Sequence, residues 1–237
     1  MLIEICVDDA AGLSAAMAGG ADRVELCAAL SLGGLTPSAG FMKQAALCAA
    51  PVFAMIRPRA GDFVFSAAEV GQMQADIVQV QEAGLAGVVL GANLPDGRLD
   101  AGLLAHLIAT AGSLGKTLHR AFDLTPDPFE ALETAIDLGF DRILSSGQAP
   151  AAPQGAAMLE RLFAQADGRI TIMPGAGINA QTVRALRNLP VREIHASCAV
   201  SLPQTGPAEA FGFAPPVLRR TEAAQVRALR NALTSVD

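Results

Sequence analysis

The sequence predicts an α/β fold of the (β/α)8 TIM-barrel type, folded as a single domain over residues 1–237. Three observations predict it. Strand-like and helix-like runs alternate eight times along the chain, with strand starts roughly 21 to 35 residues apart. Glycines stop the helices at a recurring place, four residues ahead of an apolar strand residue, in Gly20/Val24, Gly84/Val88 and Gly139/Ile143. The length of 237 residues also suits a barrel of this type. A doubly wound open sheet is the alternative, because alternation alone does not close a sheet.

In chain order, the strands are expected at Leu2–Val7, Arg23–Cys27, Val52–Ile56, Gly87–Leu90, Thr117–Phe122, Arg142–Ser145, Ile170–Met173 and Arg192–Ala196. The segments between them carry helix starts. Ser66-Ala67-Ala68-Glu69 is a capping box, and Asp127-Pro128 puts a capping acceptor ahead of a proline. Thr36-Pro37 reads the same way, and Asn179 and Thr221 are further N-cap candidates. Residues 199–220 hold four prolines and two glycines and are expected as a long irregular loop after strand 8. Arg57–Phe65 is a second long loop, after strand 3.

Composition excludes several function classes. With 51% hydrophobic residues, disorder is excluded, and no apolar run approaches the roughly 20 residues of a spanning helix, so no membrane is expected. A net charge of −6, with no Trp and no Tyr, argues against nucleic acid as a partner. The start of the chain has no charged segment followed by a long apolar one, so a cytoplasmic location is expected. Cys6, Cys27, Cys48 and Cys198 form no CxxC pair and are expected to be reduced.

In such a barrel, chemistry sits at the C-terminal ends of the strands. Strands 1 and 2 end in the same pattern, Glu4-Ile5-Cys6 and Glu25-Leu26-Cys27, in which Glu and Cys share a face. Strand 3 leads to Arg57, strand 5 to His119 and Asp123, and strand 8 to His195. Glu25, Arg57, His119, Asp123 and His195 are therefore the candidates for acid–base chemistry and anion binding. The competing reading is structural, with hydrogen-bonded core histidines and with Glu4 and Glu25 as a salt-bridged layer inside the barrel, partnered by Arg57 or Arg120. Ser146, Gly147, Gly175, Gly177 and Ser197 are candidate backbone donors for an anion at the ends of strands 6 to 8. Lys43 and Lys116 are the only lysines, and neither is placed for a Schiff base. His106 reads as a surface residue on a helix. Gly-x-Ser-x-Gly and His-Glu-x-x-His are absent.

Taken together, several motifs resemble the CutC family. They are Ala21-Asp22-Arg23-Val24-Glu25-Leu26-Cys27, Gly33-Gly34-Leu35-Thr36-Pro37-Ser38, Ile56-Arg57-Pro58-Arg59 with Gly61-Asp62-Phe63, and His119-Arg120-Ala121-Phe122-Asp123. Ser146-Gly147-Gln148, Gly175-Ala176-Gly177 and Glu193-Ile194-His195 follow in order. Ala60 departs from the family by replacing a glycine. The resemblance implies a cytoplasmic barrel, homo-oligomeric, with a role in copper homeostasis through Cu(I) binding by cysteine. Soft thiolates suit Cu(I), and Cys6 and Cys27 supply two sulfurs from neighbouring strands. If the two Glu-x-Cys patterns lie in similar register, those sulfurs stand side by side at the barrel mouth. The alternative is an enzyme acting on a small anionic or phosphorylated metabolite, and a third reading is a non-catalytic binding module.

Overall fold

The computed structural model describes residues 1–234, so the last three residues of the expected domain lie outside the description. Eight strands form the barrel: β1 (Leu2–Val7), β2 (Arg23–Leu26), β3 (Val52–Met55), β4 (Gly87–Leu90), β5 (Gly115–Leu118), β6 (Arg142–Ser145), β7 (Thr171–Pro174) and β8 (Glu193–Ala196). All their pairings are parallel, in the order β7-β6-β5-β4-β3-β2-β1-β8. Among the described residues no ladder joins β7 to β8, although the two strands lie beside each other, so the hydrogen-bonded sheet is interrupted at that seam.

The helices follow the strands. They are α1 (Ala10–Gly19), α2 (Ala39–Ala45), α3 (Ala67–Ala83), α4 (Ala101–Ala111), α5 (Pro128–Asp137) and α6 (Ala156–Ala166). After β7 a short 3₁₀ turn, Val183–Leu186, replaces the helix. The chain then continues through β9 (Ala199–Pro203), α7 (Pro207–Ala210), β10 (Val217–Thr221) and α8 (Ala223–Thr234).

The local signals act as expected at most boundaries. Ser66 and Glu69 make the reciprocal capping box of α3, and Asp127 caps α5 through the amides of Phe129 and Glu130. Gly20, Gly84 and Gly139 all have positive φ just past a helix. Four readings need correction. α2 is capped by Ser38, because the Thr36 hydroxyl instead accepts from the Arg57 amide. Thr221 ends β10 and donates to the Ser197 carbonyl, so it caps nothing. β5 stops at Leu118, and His119 opens a 3₁₀ turn over Arg120–Leu124. Residues 199–220 are not irregular: β9 and β10 pair antiparallel as an arm, with Phe211 and Phe213 exposed at its tip. Pro203 stands opposite Val217 at the end of the ladder and the other three prolines lie outside it, so none interrupts the pairing between its ends. Ala60 lacks positive φ and Gly61 has it, so the departure falls where no glycine is required.

Side chains alternate along each strand. Ile3, Ile5, Val7, Val24, Leu26, Val88 and Leu90 belong to the main buried core. The opposite parity fills the barrel interior, where Cys27, Phe53, Met55 and Val89 form a separate apolar cluster. At the lower end of the interior lies a charged layer. Arg23 Nε and Nη2 bind Glu4 and Glu193, and Arg142 Nε reaches Glu193 at 3.2 Å. The Phe53 ring lies against both guanidiniums, with Cζ 5.3 Å and 4.9 Å from its centroid. Gly87 and Gly115 make room for that ring: a Cβ would come within 2.3 Å and 2.7 Å of its atoms.

Candidate functional site

A cavity of about 630 Å³ opens above the C-terminal ends of the strands. Cys6, Glu25, Arg57, His119, Asp123 and His195 all line it. Cys27 does not, and neither do Ser146, Gly147 or Gly175, whereas Gly177 and Ser197 do.

The strand register decides which groups meet. Glu4 pairs with Arg23 and Cys6 with Glu25, so the two Glu-x-Cys patterns are offset by two residues. On the other side, Glu4 lies opposite His195. Cys6, Glu25 and His195 consequently bring ligand atoms within 4.8 Å of one another. Cys27 stands one inward step further along β2, where its thiol faces Glu25 Oε2 at 3.5 Å. Parity correctly orients both cysteines inward, but it does not put them in register.

His195 is held from below. Its Nδ1 lies 2.7 Å from Glu4 Oε1, which leaves Nε2 facing Glu25 Oε2 at 3.8 Å. Burial pushes the Glu4 carboxyl up, but His195 and Arg23 more than reverse this and bring it to about 2, so Glu4 is a carboxylate. Burial pulls the His195 imidazole down, and Glu25, Cys6 and Glu4 push it well above its usual 6.5. Burial raises the Glu25 carboxyl against the opposing effect of His195. Burial, with Glu25 beside it, also raises the Cys27 thiol, leaving it an un-ionised sulfur.

Arg57 and His119 sit across the cavity. Arg57 Nη1 donates to the carbonyls of Leu32 and Gly34, and Nη2 to that of Gly61. His119 Nδ1 accepts the Ala121 amide, which puts the imidazole proton on Nε2. Burial and the nearby Arg57 charge bring His119 down to about 3, so it is neutral. Phe63 packs between the two, 4.8 Å from Arg57 Cζ and 4.7 Å from the His119 ring.

Asp123 has another occupation. It accepts from the Ser145 hydroxyl, from the amide and hydroxyl of Ser146 and from the Gln148 amide, and it pairs with Arg120 Nε. The Gly147 amide goes to Ser145 Oγ and the Gly175 amide to the Ser145 carbonyl. The expected anion site at the end of β6 is thus filled by the protein's own carboxylate. Among the named donors, only Gly177 and Ser197 face the cavity. Sequence reading missed Arg23 and Arg142, which neutralise Glu4 and Glu193. The available signal was Arg23's parity, since it shares a face with Glu25.

The family model for CutC matches residues 1–200. A family protein CutC of Sinorhizobium medicae (strain WSM419) is 55% identical over 238 residues, covering 100% of this chain and 97% of the relative. The chain belongs to the CutC family. A CutC protein of Caulobacter vibrioides (strain NA1000 / CB15N) is 48% identical over 240 residues, covering 100% and 98%. The crystal structure of a CutC protein from Streptococcus agalactiae superposes with a TM-score of 0.80 at 30% identity, covering 83% of this chain and 98% of that one. Thiamine phosphate pyrophosphorylase from Pyrococcus furiosus, at 14% identity and a TM-score of 0.60, shares the barrel fold. Among the described residues, no helix of this CutC chain is long and apolar enough to cross a membrane.

Proposed function

We propose that this CutC chain binds a copper ion at the mouth of the barrel and serves copper homeostasis in the cytoplasm. The observation that supports this is the convergence of Cys6, Glu25 and His195 within 4.8 Å. The donor set fits copper, since a cysteine sulfur and an imidazole nitrogen satisfy Cu(I), which accepts few and soft ligands. Glu4 orients the imidazole from behind, as carboxylates commonly do for metal-bound histidines. Binding displaces the proton that the surrounding acids favour on His195. The Streptococcus agalactiae relative bears a name that provisionally assigns it to copper homeostasis. In this reading Cys6 Sγ and His195 Nε2 hold the ion, Glu25 stands beside it, and Cys27 is not needed. Competition titration with a Cu(I) chelator tests it. One site is expected, lost in Cys6→Ser, weakened roughly 10- to 100-fold in Glu4→Gln and kept in Cys27→Ser. Unchanged affinity in Cys6→Ser overturns it.

A second reading, a protein that acts on a small anionic metabolite, is supported by a different observation. Three buried polar atoms on residues that line the cavity have no partner: Glu25 Oε1, Arg57 Nε and His119 Nε2. Such groups are costly unless a ligand or water completes them. We further propose that the chain assembles with copies of itself, because Phe211 and Phe213 are 76% and 86% exposed on the arm. A monomer mass by light scattering would end that proposal.

A further inference from the structure

The three unpartnered atoms can be read for what they would hold, an inference that rests on the second reading above. Their side chains are buried, with 3% exposure for Glu25, 5% for Arg57 and 3% for His119. The rest of each group fixes what its free atom can do. Arg57 Nη1 gives both hydrogens to the carbonyls of Leu32 and Gly34 and Nη2 gives one to that of Gly61, so the guanidinium is held in place while the buried Nε–H has no partner. The Ala121 amide occupies His119 Nδ1, so Nε2–H is also a donor. Gly91 lies beneath that ring, where a Cβ would stand 2.5 Å from Cε1, so the ring is seated against bare backbone. The Phe63 ring packs against both groups, 4.8 Å from Arg57 Cζ and 4.7 Å from the His119 ring. Glu25 engages Cys27 and His195 through Oε2, leaving Oε1 without a partner.

Two fixed N–H donors and one unpartnered carboxyl oxygen, on three residues that line one cavity, complement a carbonyl compound that loses a proton from the neighbouring carbon. We propose that the cavity takes a small hydroxy-aldehyde or hydroxy-ketone bearing an anionic group and enolises it. The Glu25 carboxylate removes the proton from the carbon beside the carbonyl. That C–H pair becomes the new C=C bond, and the carbonyl π pair moves to oxygen. Arg57 Nε–H and His119 Nε2–H hold the resulting oxyanion. Return of the proton from Glu25 to carbon completes the cycle, with no net oxidation and no co-reactant. A neutral imidazole paired with a carboxylate base is an arrangement used by enolising enzymes. Arg219, on β10, lines the same cavity and has no ion partner among the described residues, so it is free to meet the anionic group.

The test uses the full chain in D2O, chelator-treated and copper-loaded in parallel. The probes are dihydroxyacetone phosphate, ribulose 5-phosphate and unphosphorylated dihydroxyacetone. Proton NMR follows deuterium entering the carbon beside the carbonyl, and saturation-transfer NMR reports binding. Incorporation well above the protein-free rate is expected for at least one phosphorylated probe. It should disappear in Glu25→Gln with binding retained, and kcat should fall about 100- to 1,000-fold in His119→Gln with KM little changed. Arg219→Ala should raise KM for the phosphorylated probe alone. A probe that binds wild type without exchanging overturns enolisation while the small-molecule reading stands. Failure of every probe to bind overturns both.

Discussion

Removing the charge of Glu4 would leave Arg23 and His195 without the carboxylate they share inside the barrel. Breaking one member of a buried ion network is costly because the remaining charge stays desolvated. Glu4→Gln should therefore lower stability by about 3–5 kcal/mol, measured by urea denaturation. A change below 1 kcal/mol would show that water relieves Arg23. The inward direction of Glu4, Cys6, Glu25 and Cys27 was legible in the sequence, because parity is a local property of a strand. The pairing of Cys6 with Glu25 was not, because register depends on how the barrel strands stagger. The same limit hid Arg23 as the partner of Glu4, which the sequence offered only as the first residue of a strand.

At the level of elements, the turn after β6 is built on Asp123, donated from the 3₁₀ turn that follows β5. Asp123→Asn keeps the shape but loses the charge that the amides of Ser146 and Gln148 and the Arg120 guanidinium all address. Charge-assisted bonds are each worth about 1.5–3 kcal/mol, so a loss of at least about 1.5 kcal/mol is expected. Hydrogen exchange should quicken at the Ser146 and Gln148 amides; unchanged exchange there would refute this role. The eight strands and most helix ends were legible, because capping boxes and glycine stops are short-range signals. β5 was read too long because His119-Arg120-Ala121-Phe122 has strand-like composition. There the imidazole accepts a backbone amide two residues on and turns the chain. The β9–β10 arm has the composition of a loop because of its prolines, although only Pro203 is paired, at the end of the ladder, and the others lie outside it.

For the whole molecule, the charged interior makes folding depend on acid. Glu4 titrates at about 2 in the folded chain against an ordinary 4.5. A depressed carboxyl contributes its full stabilisation above the unfolded value, and loses it as pH falls through the folded one. The urea midpoint should therefore fall between pH 4.5 and pH 2 on account of Glu4, with a shallower fall in Glu4→Gln. Equal slopes in the two proteins would place the acid sensitivity elsewhere. The barrel class was legible from alternation and length. Its incomplete ladder was not, since nothing local to β7 or β8 shows that these two strands do not pair with each other.

That unpaired seam has a consequence for how the chain could be rewired. Read from edge to edge, the sheet runs β8, β1, β2 and on to β7, which is the order of the chain with its last strand moved to the front. α8 and the start of β1 are already neighbours. Arg230 of α8 pairs with Asp22, and Asp22 accepts the amide of Ile3 in β1. Joining those ends and cutting between Leu186 and Glu193 would sever no strand ladder. Chain order and sheet order would then coincide, and a polypeptide that now finishes the barrel with β8 would begin with it.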